Sequence, residues 1–162
     1  MSSATTTPRK ATVTTPTDRE ILIERIFDAP RDRVWRAFTE PALLAQWWGR
    51  GNTLDVERFE LERGGHWRFV EHGPEGVHGF EGRFREVTPP ERIVQTFEWD
   101  GMPAYVIIES LELVDLGDGR TKVVNRSFFY STEERDGMLQ SGMEQGLNQS
   151  YAALDAVLAR MA

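Results

Sequence analysis

The sequence predicts an α+β fold in which a curved, seven-stranded antiparallel sheet wraps around one long C-terminal helix, in the order β-α-α-β6-α. Three observations lead there. Six strand-like segments follow one another between residues 53 and 130, separated only by Gly, Pro and Asp-Gly turn signals. One strand and two short helical segments precede them. The chain then closes on a stretch with the apolar period of a helix. An antiparallel sheet must cover its apolar face, and that last helix is the element able to do so while leaving an internal cavity.

Residues 1–17 hold seven Thr, two Ser and two Pro, with Val13 the only large apolar residue after Met1. Such a segment buries too little to offset the entropy of ordering, so residues 1–18 are expected to be a disordered tail and 19–162 a single domain. The run Glu20 to Phe27 reads as the first strand. Pro30 suits the first turn of a helix with Val34, Trp35 and Phe38 on its apolar face, and Pro41 opens the second, PALLAQWW, in which at least one of Trp47 and Trp48 should enter the core. The six strands follow as TLDVERFEL, HWRFVEH, VHGFEGRFREV, RIVQTFEW, YVIIESLELV and TKVVNRSFFY. Ser131 to Glu134 has the form of a capping box, after which Leu139, Met143, Leu147, Tyr151, Leu154, Leu158 and Met161 recur every three or four residues. That pattern predicts one continuous amphipathic helix.

Composition narrows the function classes. With 162 residues and no cysteine, the chain has the size of one core and no disulfide framework or thiolate metal site, which points to a reducing, cytoplasmic setting. No apolar run approaches the roughly 18 residues that cross a bilayer. A net charge of −7 repels a phosphate backbone and argues against nucleic acid. Gly-x-Ser-x-Gly, Walker A, dinucleotide and His-Glu-x-x-His signatures are missing, and no cofactor is expected. The three histidines do not converge on a metal, because register puts His66 on an outer face, His78 on the inner face and His72 near a turn.

Turn chemistry fixes which side chains face inward. The turn Gly73-Pro74-Glu75-Gly76 sets Arg68 opposite Glu81 and Phe69 opposite Phe80. Trp67, Phe69, Phe80 and Phe84 then share an aromatic inner face, with Gly82 opposite Trp67 to make room for the indole. The loop Gly117-Asp118-Gly119 pairs Leu113 with Val123, Glu109 with Ser127 and Ile107 with Phe129, with Asn125 on the same face. Alternation adds Ile93, Gln95, Phe97 and Trp99, and Gln95 comes opposite Glu109.

A polar row, Gln95-Glu109-Ser127, therefore crosses an otherwise apolar face. A carboxylate there needs hydrogen bonds, which Gln95, Ser127, Asn125 or water can donate. Glu109 is thus either part of a structural polar cluster or a group that anchors a ligand or transfers a proton. Gly142, Gly146 and Ser150 form a small-residue stripe on the last helix, either for close approach of helix and sheet or to leave space for a ligand. Met138, Met143 and Leu147 complete the expected wall.

Taken together, FDAPRDRVWRAFTEPALLAQWW, GGHWRFV, the turn at Pro89-Pro90-Glu91-Arg92, LGDGRTKV and ERDGMLQSGMEQGLNQSYAALDAVLA resemble the START-like (SRPBCC, Bet v allergen-like) superfamily. They are more closely similar to its branch named after the activator of the heat-shock-protein-ninety ATPase. The resemblance covers about residues 19 to 161 and implies a helix-grip fold with a cavity between sheet and helix. Members of the superfamily bind lipids, polyketides or other apolar molecules, and some are cyclases or hydrolases. The partner it implies is an apolar or lipid-like small molecule, with Glu109 as the catalytic candidate should a reaction occur. Contact with a chaperone is a further implication. The co-chaperone of the name carries a separate N-terminal chaperone-binding domain, which residues 1–18 are not expected to replace. A monomer or a dimer is compatible with all of this.

Overall fold

The computed structural model describes residues 9–162. Its strands are β1 (Thr12–Thr14), β2 (Glu20–Phe27), β3 (Thr53–Phe59), β4 (His66–Gly73), β5 (Gly76–Thr88), β6 (Arg92–Trp99), β7 (Ile107–Asp115) and β8 (Thr121–Phe128). The helices are α1 (Arg31–Thr39), α2 (Pro41–Trp47), α3 (Thr132–Gln140) and α4 (Met143–Arg160). All strands join one antiparallel sheet in the order β1-β2-β8-β7-β6-β5-β4-β3. This is the α+β, helix-grip arrangement read from the sequence, with eight strands in place of seven.

The additional strand corrects the expectation for residues 1–18. Val13 pairs with Ile23 at the free edge of β2, Ala11 is buried, and its N–H donates to Asn148 Oδ1 of α4 at 2.9 Å. Backbone pairing to an open edge needs no apolar payload, so a Thr-Val-Thr segment orders there despite its composition. Residues 1–8, the rest of the expected tail, lie outside the described residues.

The hairpin registers follow the turn chemistry. Arg68 faces Glu81, Phe69 faces Phe80, Leu113 faces Val123, Gln95 faces Glu109 and Glu109 faces Ser127. Gly82 lies opposite Trp67, and a Cβ on it would fall 1.9 Å from the Thr96 carbonyl oxygen and 2.7 Å from Trp67 Nε1. The indole N–H donates to that same carbonyl at 3.2 Å, so the glycine makes room both for the ring and for its hydrogen bond.

The predicted single C-terminal helix is two. Ser131 Oγ accepts from the Glu134 N–H, the serine half of the expected capping box, and donates to the Glu134 carboxylate. α3 then ends at Gln140, because Gly142 has φ +83°, a left-handed conformation that no α-helical residue adopts. Apolar periodicity runs across the break without registering it.

The C-terminal half of α4 packs tightly. Tyr151, Leu154, Val157 and Leu158 are buried, and the Tyr151 ring meets Phe27 edge-on with centroids 5.2 Å apart. Arg25, buried on β2, lies 4.3 Å over the Phe27 ring and donates to Asp155 of α4, clamping helix to sheet. Trp47 enters the core and donates its N–H to the Ala37 carbonyl at 2.9 Å, while Trp48 stays half-buried. Toward its N-terminus α4 carries Met143, Gly146 and Leu147, which line the space between helix and sheet. Among the described residues no helix is long and apolar enough to cross a membrane.

Candidate functional site

Where α4 leaves the sheet, a cavity of about 810 Å³ opens between the two. One wing is aromatic: Trp67 and Phe69 of β4, Phe80 and Phe84 of β5, and Phe97 and Trp99 of β6. Trp48 closes it from above, its ring edge-on to Phe69 and Phe80 at 5.1 and 5.2 Å. The opposite wing is mainly aliphatic, with Ile21 and Ile23 of β2 and Ile107 and Leu111 of β7, joined by the ring of Phe129 after β8. Met138 of α3 and Met143 and Leu147 of α4 form the roof. The residues named from the sequence as the expected cavity wall line it, including Gln95, Glu109, Asn125 and Ser127, whereas Leu113 and Val123 of the same inner face are packed in the core.

Glu109 sits deep in the fold yet keeps part of its surface on the cavity. Gln95 Nε2 donates to its Oε1 at 3.4 Å, and Ser127 stands across from it on β8. Burial pushes the carboxyl up to about 7, against the opposing pull of the hydrogen bonds from Gln95 and Ser127. Tyr151 reaches the same space from α4. Its phenol is held above the ordinary value by burial first and by the charge of Glu109 second, with Arg25 acting the other way. The two groups therefore feel one another across the cavity.

A second polar cluster was not anticipated. Glu71, only 1% exposed, receives Arg50 Nε at 3.1 Å on one carboxylate oxygen and Arg50 Nη2 at 2.9 Å on the other, while Asn52 Nδ2 adds a bond at 3.0 Å. This bidentate pair ties β4 to the loop after α2, and the Arg50 N–H donates to Ser150 Oγ of α4. Alternation with Trp67 and Phe69 already places Glu71 inward, so a signal existed. Its partner did not announce itself, because Arg50 reaches it from a loop with φ +57°, between Gly49 at +111° and Gly51 at +82°.

Two positions of the small-residue stripe, all of which line the cavity, also have local causes. Gly142 makes the left-handed turn between α3 and α4. Gly146 lies against Arg50, whose Cδ would come within 2.6 Å of an added Cβ. The histidines are dispersed: His66 is half-buried with Nε2 3.7 Å from Glu81, His72 bonds Asp55 at 2.9 Å, and His78 lines the cavity.

Toward solvent the cavity is bordered by Met102 and Tyr105 of the β6–β7 loop, Glu75 of the β4–β5 turn, and Glu133 and Glu134 of α3. Met102 and Tyr105 are half-exposed and Glu133 is exposed, which places the opening between this loop, the turn and α3.

The same architecture is found in solved bacterial structures. A crystal structure of a Rhodobacter sphaeroides protein superposes with TM-score 0.86 at 28% identity, over 94% of this chain and 100% of that one. A solution structure of an Arthrobacter aurescens protein gives 0.82 at 25% identity, over 92% of this chain and 91% of that one. A Chromobacterium violaceum protein gives 0.73 at 28%, over 86% and 96%. No curated protein matches the chain in sequence. The model of the family described as Activator of Hsp90 ATPase homolog 1-like protein matches residues 28–159, from the end of β2 to the last turn of α4, so the chain belongs to that family.

Proposed function

We propose that the protein binds an apolar or amphipathic small molecule in the cavity between sheet and α4, with the molecule's polar group anchored at Glu109. The observation that carries this reading is the cavity itself: about 810 Å³ of space, largely aromatic and aliphatic, with the polar row of Gln95, Glu109 and Ser127 inside and charged side chains toward its edge. Ligand pockets have that size and that lining, with few polar groups that fix orientation. The elements around it are held independently of any occupant, by the Arg50-Glu71 pair on one side and the Arg25-Asp155 clamp on the other. Gently purified full-length protein should therefore show a bound mass in native mass spectrometry, or take up the neutral fluorophore Nile red saturably. Absence of both removes the reading.

The carboxyl at about 7 favours a second one. A group that titrates near neutrality, facing an apolar space and Tyr151, is suited to take up or release a proton. For a compound recovered from the cavity and found to be converted, Glu109→Gln should abolish turnover while the circular dichroism spectrum stays unchanged.

A further inference from the structure

The proposed binding leaves open which polar group the cavity prefers, and the wall's own charges bear on it. Five carboxylates line it, at Glu71, Glu75, Glu109, Glu133 and Glu134, against one guanidinium, Arg50. Arg50 is committed to Glu71 through two hydrogen bonds, so that pair is neutral and the rest of the wall is acidic. One amide N–H of Gln95 points at Glu109 and the Ser127 hydroxyl acts on the same carboxyl, while Asn125 and the Tyr151 hydroxyl keep donors on the cavity. A carboxylate has about four acceptor sites, and two donors leave it unsaturated on the side where its surface meets the cavity. Beside the donors of Asn125 and Tyr151, the interior offers an incoming molecule an open carboxylate and an excess of negative charge.

We infer that, among apolar molecules, the cavity selects those whose polar group is a protonated amine, with the ammonium seated on Glu109. This rests on the reading of the cavity as a ligand site. The acidic rim of Glu75 and Glu133 at the opening adds attraction for a cation and repulsion for a carboxylate or phosphate head. The groups facing Glu109 are Gln95 from β6, Ser127 from β8 and Tyr151 from α4, and Arg25, which acts on Tyr151, is already paired with Asp155. No other cation competes for the seat among the described groups that face it.

Ammonium binding then requires an ionised Glu109. With the free carboxyl at about 7, affinity for an amine should rise about tenfold from about pH 6 to about pH 8, while a neutral head is indifferent. Decylamine, decanol and decanoate have nearly the same chain and differ in charge, so displacement of Nile red by each, on the full-length protein at both pH values, makes the test. Decylamine is expected to bind at least about tenfold more tightly than decanol at about pH 8, with decanoate weakest. Glu109→Gln should bring amine and alcohol within about threefold. An alcohol or carboxylate that equals the amine at about pH 8, or an amine affinity flat with pH, overturns the inference and leaves the cavity reading standing. An amine preference of full size in Glu109→Gln overturns the seat assigned to Glu109. Failure of Nile red and of all three amphiphiles to bind overturns both readings. The pH series needs no substitution, so a variant that misfolds does not shield the proposal.

Discussion

A carboxyl that titrates at about 7 in the folded chain, against an ordinary 4.5, links folding to proton uptake between those two values. In that window the folded state holds a proton that the unfolded state has released. Stability from this group is complete below about pH 4.5 and is lost as the pH rises through about 7. The shift corresponds to about 3 kcal/mol at most. Glu109→Gln keeps the shape and cannot ionise, so it should melt up to roughly 10 °C higher than the parent at about pH 8 and level with it at about pH 4. A gap of equal size at both values in thermal melts would show that Glu109 is already neutral or well solvated. The residue was legible in the sequence because the Gly117-Asp118-Gly119 loop fixed the register of β7 against β8, and one-in-two alternation did the rest. Glu71 obeys the same alternation, but its meaning lies in Arg50, 21 residues away in a loop whose positive φ angles no pattern announces.

Two glycines on neighbouring helices separate propensity from packing. Gly137, in α3, has nothing within 4 Å of an added Cβ, whereas at Gly146, in α4, a Cβ meets Arg50 Cδ at 2.6 Å. Replacing a helical glycine by alanine stabilises by up to about 1 kcal/mol where space allows. Gly137→Ala should gain roughly that amount. Gly146→Ala should lose about 2 kcal/mol or more, because moving Arg50 strips a buried carboxylate of its bidentate partner. Urea unfolding of both variants checks the pair, and two equal gains would show that Arg50 reorients freely. Neither cause was visible in a stripe of small residues, since the stripe records spacing and not what stands opposite. The break between α3 and α4 was hidden for a related reason: its apolar positions keep a helical rhythm through Ser141 and Gly142, and the left-handed turn depends on one backbone angle. Strand β1 was missed because composition measures buried side chains, while an edge strand is held by its backbone.

Inner faces, hairpin pairings and the covering helix follow from pattern and turns, but the place of β2 beside β8 and the gap between layers do not. The gap depends on where α4 rises from the sheet, which Tyr151 and Leu154 set at one end and the loop bearing Arg50 at the other. A cavity of about 810 Å³ is therefore a property of the whole molecule, and filling it from one position tests whether the space is functional or merely tolerated. Leu147, on the roof, is half-buried and projects from a helix whose backbone already stands clear. Leu147→Trp adds an indole that finds room without moving the sheet, and the extra apolar surface it buries should raise stability by up to about 1 kcal/mol. If the empty space is what ligands use, Nile red affinity should fall at least about tenfold in this variant while its melting temperature holds or rises. Stability lost together with binding would mean that the roof is packed and the substitution overfills it. Binding unchanged at unchanged stability would place the probe on the outer surface, where Ile108, Phe128 and Tyr130 are exposed, and would count against the cavity as the site.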